Sequence, residues 1–107
     1  MSITGKISLE EIIRRKIVYC RQDTFEDINT KMGYIRGYEE MLTDMDMTEE
    51  KFAEKYLAKI CELSTVFEST DYRSNENFID ELCGYNNAIV SVLAMIDEKY
   101  RYPDLLS

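Results

Sequence analysis

Apolar residues recur along most of this chain at spacings of three and four, which is the period of an amphipathic α-helix. Four segments carry this pattern, at about residues 8–22, 24–46, 48–69 and 75–100. The polar connections between them are short, which favours antiparallel neighbours. The sequence therefore predicts an all-α fold, a single-domain four-helix up-down bundle that occupies all 107 residues.

Three of the four segments begin with a residue suited to capping a helix. Ser8 opens a capping box with Glu11 at the third helical position. Thr24 is the predicted N-cap of the second helix, with Asp27 as its third residue. Thr48 precedes two glutamates, whose charge is favourable at the start of a helix.

The second helix has an apolar stripe that is expected to face the core. Its members are Phe25, Ile28, Met32, Ile35, Tyr38, Leu42 and Met45. The same helix contains Gly33 and Gly37 on one face, and a glycine inside a helix costs about 1 kcal/mol relative to alanine. The pair indicates either a close approach of another backbone or a kink, and the pattern leaves both open.

The fourth helix is apolar over more than one stripe. Its main stripe is Phe78, Leu82, Tyr85, Ile89, Val92 and Ile96. Ile79, Val90 and Leu93 lie to one side of that line. So wide an apolar arc is typical of a central helix or of a subunit interface. We therefore predict an oligomer interface at Ile79, Val90 and Leu93, and a homo-oligomer in solution.

A short internal similarity links the second and fourth helices. The segment 37–42, Gly-Tyr-Glu-Glu-Met-Leu, resembles the segment 84–89, Gly-Tyr-Asn-Asn-Ala-Ile. Duplication of a helical hairpin and chance both account for a match of this length.

Composition excludes several classes of function. Thirteen basic against 21 acidic residues give a net charge of −8, which disfavours binding to nucleic acid. The chain has no histidine, so the histidine-dependent triads and zinc sites are excluded. Three cysteines without a C-x-x-C pair predict reduced thiols and a cytoplasmic protein. No apolar run approaches the roughly 20 residues of a membrane span.

In size and acidity the chain resembles the all-helical NTP pyrophosphatases, which hold Mg²⁺ with E-E-x-x-E and E-x-x-D motifs. Neither motif is complete in this sequence. The nearest substitutes are the pairs Glu50/Glu54 and Glu76/Asp80. We therefore predict no metal and no cofactor, and keep a divergent, Mg-dependent nucleotide-binding or pyrophosphatase-like protein as the alternative.

The acidic charge is concentrated where the second and third helices meet. Residues 37–50 contain no basic residue, and their six acids form what we name the acidic corner: Glu39, Glu40, Asp44, Asp46, Glu49 and Glu50. Acids at the end of a helix oppose its dipole, so folding alone does not favour them there. Methionines lie between them, and flexible Met beside charge is typical of binding surfaces. The predicted partner-binding set is Glu39, Glu40, Met41, Asp44, Met45, Asp46, Glu49 and Glu50.

These features predict a non-catalytic cytoplasmic module that binds a basic surface of another protein. It is similar in size and acidity to small acidic inhibitors or adaptors of the phage anti-defence or immunity type. A self-assembling structural protein is the second alternative, favoured by the wide apolar arc of the fourth helix.

Overall fold

The computed structural model describes residues 8–22 and 27–97. These residues form four helices and no β-strand. The helices are α1 (Leu9–Gln22), α2 (Ile28–Leu42), α3 (Glu49–Ser69) and α4 (Glu76–Ile96). The predicted all-α four-helix bundle is confirmed. No helix in these ranges is long and apolar enough to cross a membrane.

Two of the predicted caps are confirmed. The Glu11 backbone N–H donates to Ser8 Oγ at 3.2 Å, and the Lys51 N–H donates to Thr48 Oγ1 at 3.3 Å. Each hydroxyl therefore accepts from one of the backbone N–H groups that have no partner at the start of a helix.

The second helix begins later than predicted. Asp27 is its N-cap, with extended backbone (φ −112°, ψ 113°), and its carboxylate accepts from the Asn29 N–H at 2.9 Å. A residue in that conformation cannot lie inside the helix, so the start at 24 was wrong. Aspartate is as good a cap as threonine and adds a favourable charge. Thr24 lies outside the described residues.

Two helices also end earlier than predicted. α2 ends at Leu42 rather than 46, because the Thr43 N–H bonds three residues back to the carbonyl of Glu40 at 3.1 Å. The Thr43 hydroxyl donates to the same carbonyl at 2.6 Å, and such local bonds compete with helix continuation. α4 ends at Ile96 rather than 100, since Asp97 has extended backbone (φ −153°, ψ 130°). Residues 98–100 lie outside the described residues.

The most extensive helix–helix contact among the described residues joins α2 to α4. A Cβ placed on Gly33 would lie 1.9 Å from the carbonyl oxygen of Glu81. Reciprocally, a Cβ on Gly84 would lie 2.1 Å from the carbonyl oxygen of Thr30. Only a hydrogen fits in either place, and it points at a carbonyl oxygen as in a weak Cα–H···O bond. Close backbone approach is therefore the correct interpretation of the glycines, and α2 is one continuous helix.

The two central helices run in the same direction and match in sequence. Gly33 lies against Glu81, and further along both helices the Tyr38 hydroxyl is 3.3 Å from Ser91 Oγ. The reciprocal contact aligns the segment 33–37, Gly-Tyr-Ile-Arg-Gly, with the segment 84–88, Gly-Tyr-Asn-Asn-Ala. The two similar segments therefore lie side by side, but the structure aligns Gly84 with Gly33, one helical turn before the Gly37 of the sequence match. α1 packs on α2, and α3 packs on α4.

The glycine contact turns the expected apolar stripe of α2 away from the core. Ile28 and Met32 are 62% and 56% exposed, whereas Tyr38 and Met41 are buried. The stripe prediction was wrong for this half of the helix. Its physical cause is that the glycine face must lie against α4, and Ile28 and Met32 lie on a different face.

The predicted oligomer interface on α4 was also wrong. Ile79 and Leu93 are buried within the monomer, and Val90 is half-buried against the core. Phe78, expected inside, is 50% exposed. Because α4 packs against both α2 and α3, its wide apolar arc is covered by the bundle itself.

Replacing Gly33 or Gly84 by alanine should destabilise the protein. A helical Gly→Ala change usually gains up to about 1 kcal/mol. Here the new methyl group meets a carbonyl oxygen of the other helix, and overpacking of this kind costs about 1–3 kcal/mol.

Chemical denaturation followed by circular dichroism measures the free energy of unfolding of each variant. Ser64→Ala, at an exposed position of α3, is the control and should change stability by no more than about 0.5 kcal/mol. A more stable Gly33→Ala variant would contradict the contact.

Candidate functional site

The structure brings the acidic corner together where α2 turns into α3. Its residues come from the last turn of α2, the connection 43–48 and the first turn of α3. Their environments differ. Glu40 and Asp44 are bonded to neighbouring helices, whereas Asp46, Glu49 and Glu50 face solvent and form no ion pair with a described residue.

Glu40 is bonded to both neighbouring helices. It is half-buried, and its Oε1 accepts from the Tyr85 hydroxyl of α4 at 2.7 Å. The same oxygen lies 3.8 Å from Lys59 Nζ of α3. Burial raises the pKa of Tyr85, and the hydrogen bond to Glu40 raises it further, so the phenol remains the donor.

Asp44 anchors the connection to α3. Its side chain is only 14% exposed, and its Oδ2 accepts from Lys55 Nζ at 2.6 Å and from the Tyr56 hydroxyl at 2.5 Å. Burial raises the pKa of Asp44, but these hydrogen bonds and the lysine charge outweigh it, so the pKa is below its ordinary value. Folding therefore uses Glu40 and Asp44, contrary to the sequence argument that it has no need of acids here.

The methionines of the predicted set belong to the core. Met41 is fully buried, and Met45 is half-buried and packs against the core. Met41 therefore has no surface to offer a partner, which corrects its assignment. Met41 is buried because it lies on the same face of α2 as Gly37, the face that packs against α4.

Four acids of the corner remain at the surface. Glu39 is exposed but paired with Arg21 of α1 at 2.7 Å. Asp46, Glu49 and Glu50 are exposed and form no ion pair with any described residue. Asp46 borders a shallow cleft of 420 Å³ whose lining also includes Thr48 and Lys51. The unpaired negative charge of the corner is thus carried by Asp46, Glu49 and Glu50.

A second surface was missed at the sequence level. An open cleft of 530 Å³ lies along the outer side of α2. Its apolar floor is Met32 and Ile35, and its charged rim is Arg21, Arg36, Glu39 and Glu81. The Gly33/Gly37 spacing carried the signal: with the glycine face packed inward, the Ile28–Met32 side must point outward.

The cysteines and remaining acids offer little activated chemistry. Cys20 is buried, Cys61 is exposed, and none of the three thiols forms a disulfide. Burial raises the pKa of Cys83, which disfavours its reactive thiolate. Asp80 accepts from the Tyr72 hydroxyl at 3.1 Å. In the described ranges no group of three His, Cys, Asp or Glu side chains is placed to hold a metal ion.

Comparison of the chain with protein-family models, with curated proteins and with solved structures finds no match.

The anchoring of Asp44 predicts a specific response to acid. Because its folded pKa is lowered, it stabilises the fold at neutral pH, and this contribution is lost as pH falls through the folded pKa. Asp44→Asn should therefore cost about 2 kcal/mol at pH 7, the scale of hydrogen bonds to a charged group.

Urea unfolding of the wild type and Asp44→Asn between pH 7 and pH 2 measures this difference, which should shrink below about pH 4. Asp46→Asn is the matched control, being exposed and unpaired among the described residues. A gap between wild type and Asp44→Asn that persists unchanged at the lowest pH would contradict the role of the carboxylate charge.

Proposed function

We propose that this chain is a non-catalytic protein-binding module that holds a basic surface of another protein against Asp46, Glu49 and Glu50. The observation that carries the proposal is their exposure without an ion pair among the described residues, in a chain whose net charge is −8. Like charges on one turn repel one another, and a partner with lysine or arginine side chains relieves that repulsion.

The bundle holds these carboxylates on a fixed support. Asp44 ties the connection to Lys55 and Tyr56 of α3, and Thr48 caps the same helix. A turn held at both ends loses little conformational freedom when it binds, which favours affinity.

Of the three acids, Asp46 is the one whose charge neither lies in the first turn of a helix nor pairs with a described residue. Glu49 and Glu50 lie in the first turn of α3, where their charge also stabilises the helix dipole. Asp46 lies in the connection and bonds to no described residue. A functional role therefore depends most on Asp46.

The partner class follows from this chemistry. A protein face rich in lysine and arginine, such as the nucleic-acid groove of an enzyme, complements the corner. Small acidic inhibitors and adaptors act in this way, and the chain resembles them only in size and charge. Cys20, Cys61 and Cys83 form no disulfide, which is consistent with a reducing compartment, and we propose that the interaction takes place in the cytoplasm.

Reversing charge at the corner should abolish partner capture without unfolding the chain. The test variant is Asp46→Lys/Glu50→Lys, and the matched control is Glu62→Lys/Glu68→Lys, two exposed acids of α3 that shift the net charge equally. Capture from a lysate of the source cells is followed by carbodiimide coupling, which joins a carboxylate to a lysine amine in contact with it.

Mass spectrometry should place the cross-links at Asp46, Glu49 or Glu50, and the control should capture the same partner as the wild type. Capture should weaken as salt rises, because exposed charges are screened within about 8 Å at physiological ionic strength. Equal loss of capture in both variants would show that only net charge matters, and cross-links confined to other acids would overturn the proposal.

A further inference from the structure

The outer side of α2 carries apolar surface that the bundle leaves uncovered. Ile28 is 62% exposed and Met32 is 56% exposed. They are one helical turn apart and so lie on the same side of the helix. Met32 and Ile35 together form the apolar floor of the 530 Å³ cleft.

Charges surround this floor in oppositely charged pairs. Arg21 of α1 is 2.7 Å from Glu39 of α2, and Arg36 of α2 is 3.4 Å from Glu81 of α4. The Arg36 guanidinium also lies over the Tyr85 ring, 4.5 Å from its centroid, which fixes its position. We name this region, the apolar floor with Ile28 and its rim, the neutral face.

The neutrality of this face points to a particular partner. Two copies of a chain with a net charge of −8 repel each other over most of their surfaces. They approach at least cost where the local charge sums to zero and apolar side chains are exposed. Lys31, whose Nζ donates to the Arg21 carbonyl at 3.3 Å, and Asp27, the N-cap beside Ile28, add one charge of each sign to the two arginines and two glutamates of the rim. Such a face is also complementary to itself, because a two-fold axis can place each arginine of one copy near a glutamate of the other.

We propose that the neutral face of α2 is a homodimer interface, with Ile28 and Met32 of two copies packed together and the four rim charges paired across the contact. This surface is distinct from Asp46, Glu49 and Glu50, which stay free in the dimer. A helix of 15 residues is about 22 Å long. The contact is therefore smaller than a standard interface of about 800 Å² per partner, and the dimer is reversible and concentration-dependent.

The dimer should respond to salt in the opposite sense to capture of a basic partner. Salt screens the long-range repulsion between two acidic chains more strongly than the short-range charge pairs of the interface, and it leaves the apolar contact in place. Sedimentation velocity of the full chain, with reductant, at 5–500 µM (about two decades of concentration) and in low and high salt measures the association constant. We expect a monomer at low concentration and a dimer fraction that grows with both concentration and salt.

The test variant is Ile28→Gln/Met32→Gln, which removes the apolar contact without changing charge. The control is Val18→Gln/Phe78→Gln, which removes two similarly exposed apolar side chains, 53% and 50%, on α1 and α4. The test variant should lower the association constant at least about tenfold, while its helical signal and its unfolding midpoint, measured at a concentration where the wild type is monomeric, stay unchanged. The control should dimerise like the wild type.

Three outcomes would overturn the proposal: a monomer at all concentrations and salts, equal loss of association in both variants, or a dimer that persists in the test variant. The assay needs no external partner, so its result is independent of the acidic-corner experiment.

Discussion

Where α2 meets α4, no side chain separates the two backbones, because Gly33 and Gly84 each face a carbonyl oxygen of the other helix. This contact fixes the rotation of α2 about its own axis, since only the glycine face can come so close. The rotation buries Met41 and exposes Met32. It also places α2 beside Tyr85, whose hydroxyl bonds to Glu40. The exposed apolar surface of α2 is a consequence of this geometry.

Polar contacts then tie the end of α2 to α4 and the following connection to α3. Glu40 and Asp44 receive hydrogen bonds from two tyrosines that belong to different helices, Tyr85 and Tyr56. Burial raises the pKa of each phenol, and the bonded carboxylate raises it further, so both hydroxyls stay protonated donors at neutral pH. Buried polar groups stabilise a fold when they are fully paired, and here they bond Glu40 and Asp44 within the bundle.

The surface of this acidic chain is therefore not uniform in charge. At the turn before α3, Asp46 and its neighbours leave negative charge unpaired among the described residues. On the outer side of α2, arginines and glutamates neutralise one another around Met32 and Ile35. The two associations proposed above therefore use different surfaces, and we expect salt to weaken the binding of a basic protein and to strengthen the binding of a second copy.

The four helices and two of their caps could be predicted from the sequence, because both depend on residues close together in the chain. Helical periodicity repeats every three or four residues, and the hydroxyls of Ser8 and Thr48 each bond three residues ahead. The spacing of Gly33 and Gly37 allowed two interpretations, a close approach of another backbone or a kink in the helix. Tertiary structure decided between those two interpretations, and with them which face of α2 is buried, since that depends on Gly84, which lies far along the chain on another helix. It also decided which carboxylates are used in folding: Asp44 and Asp46 look alike in sequence, but only Asp44 lies within reach of Tyr56 and Lys55.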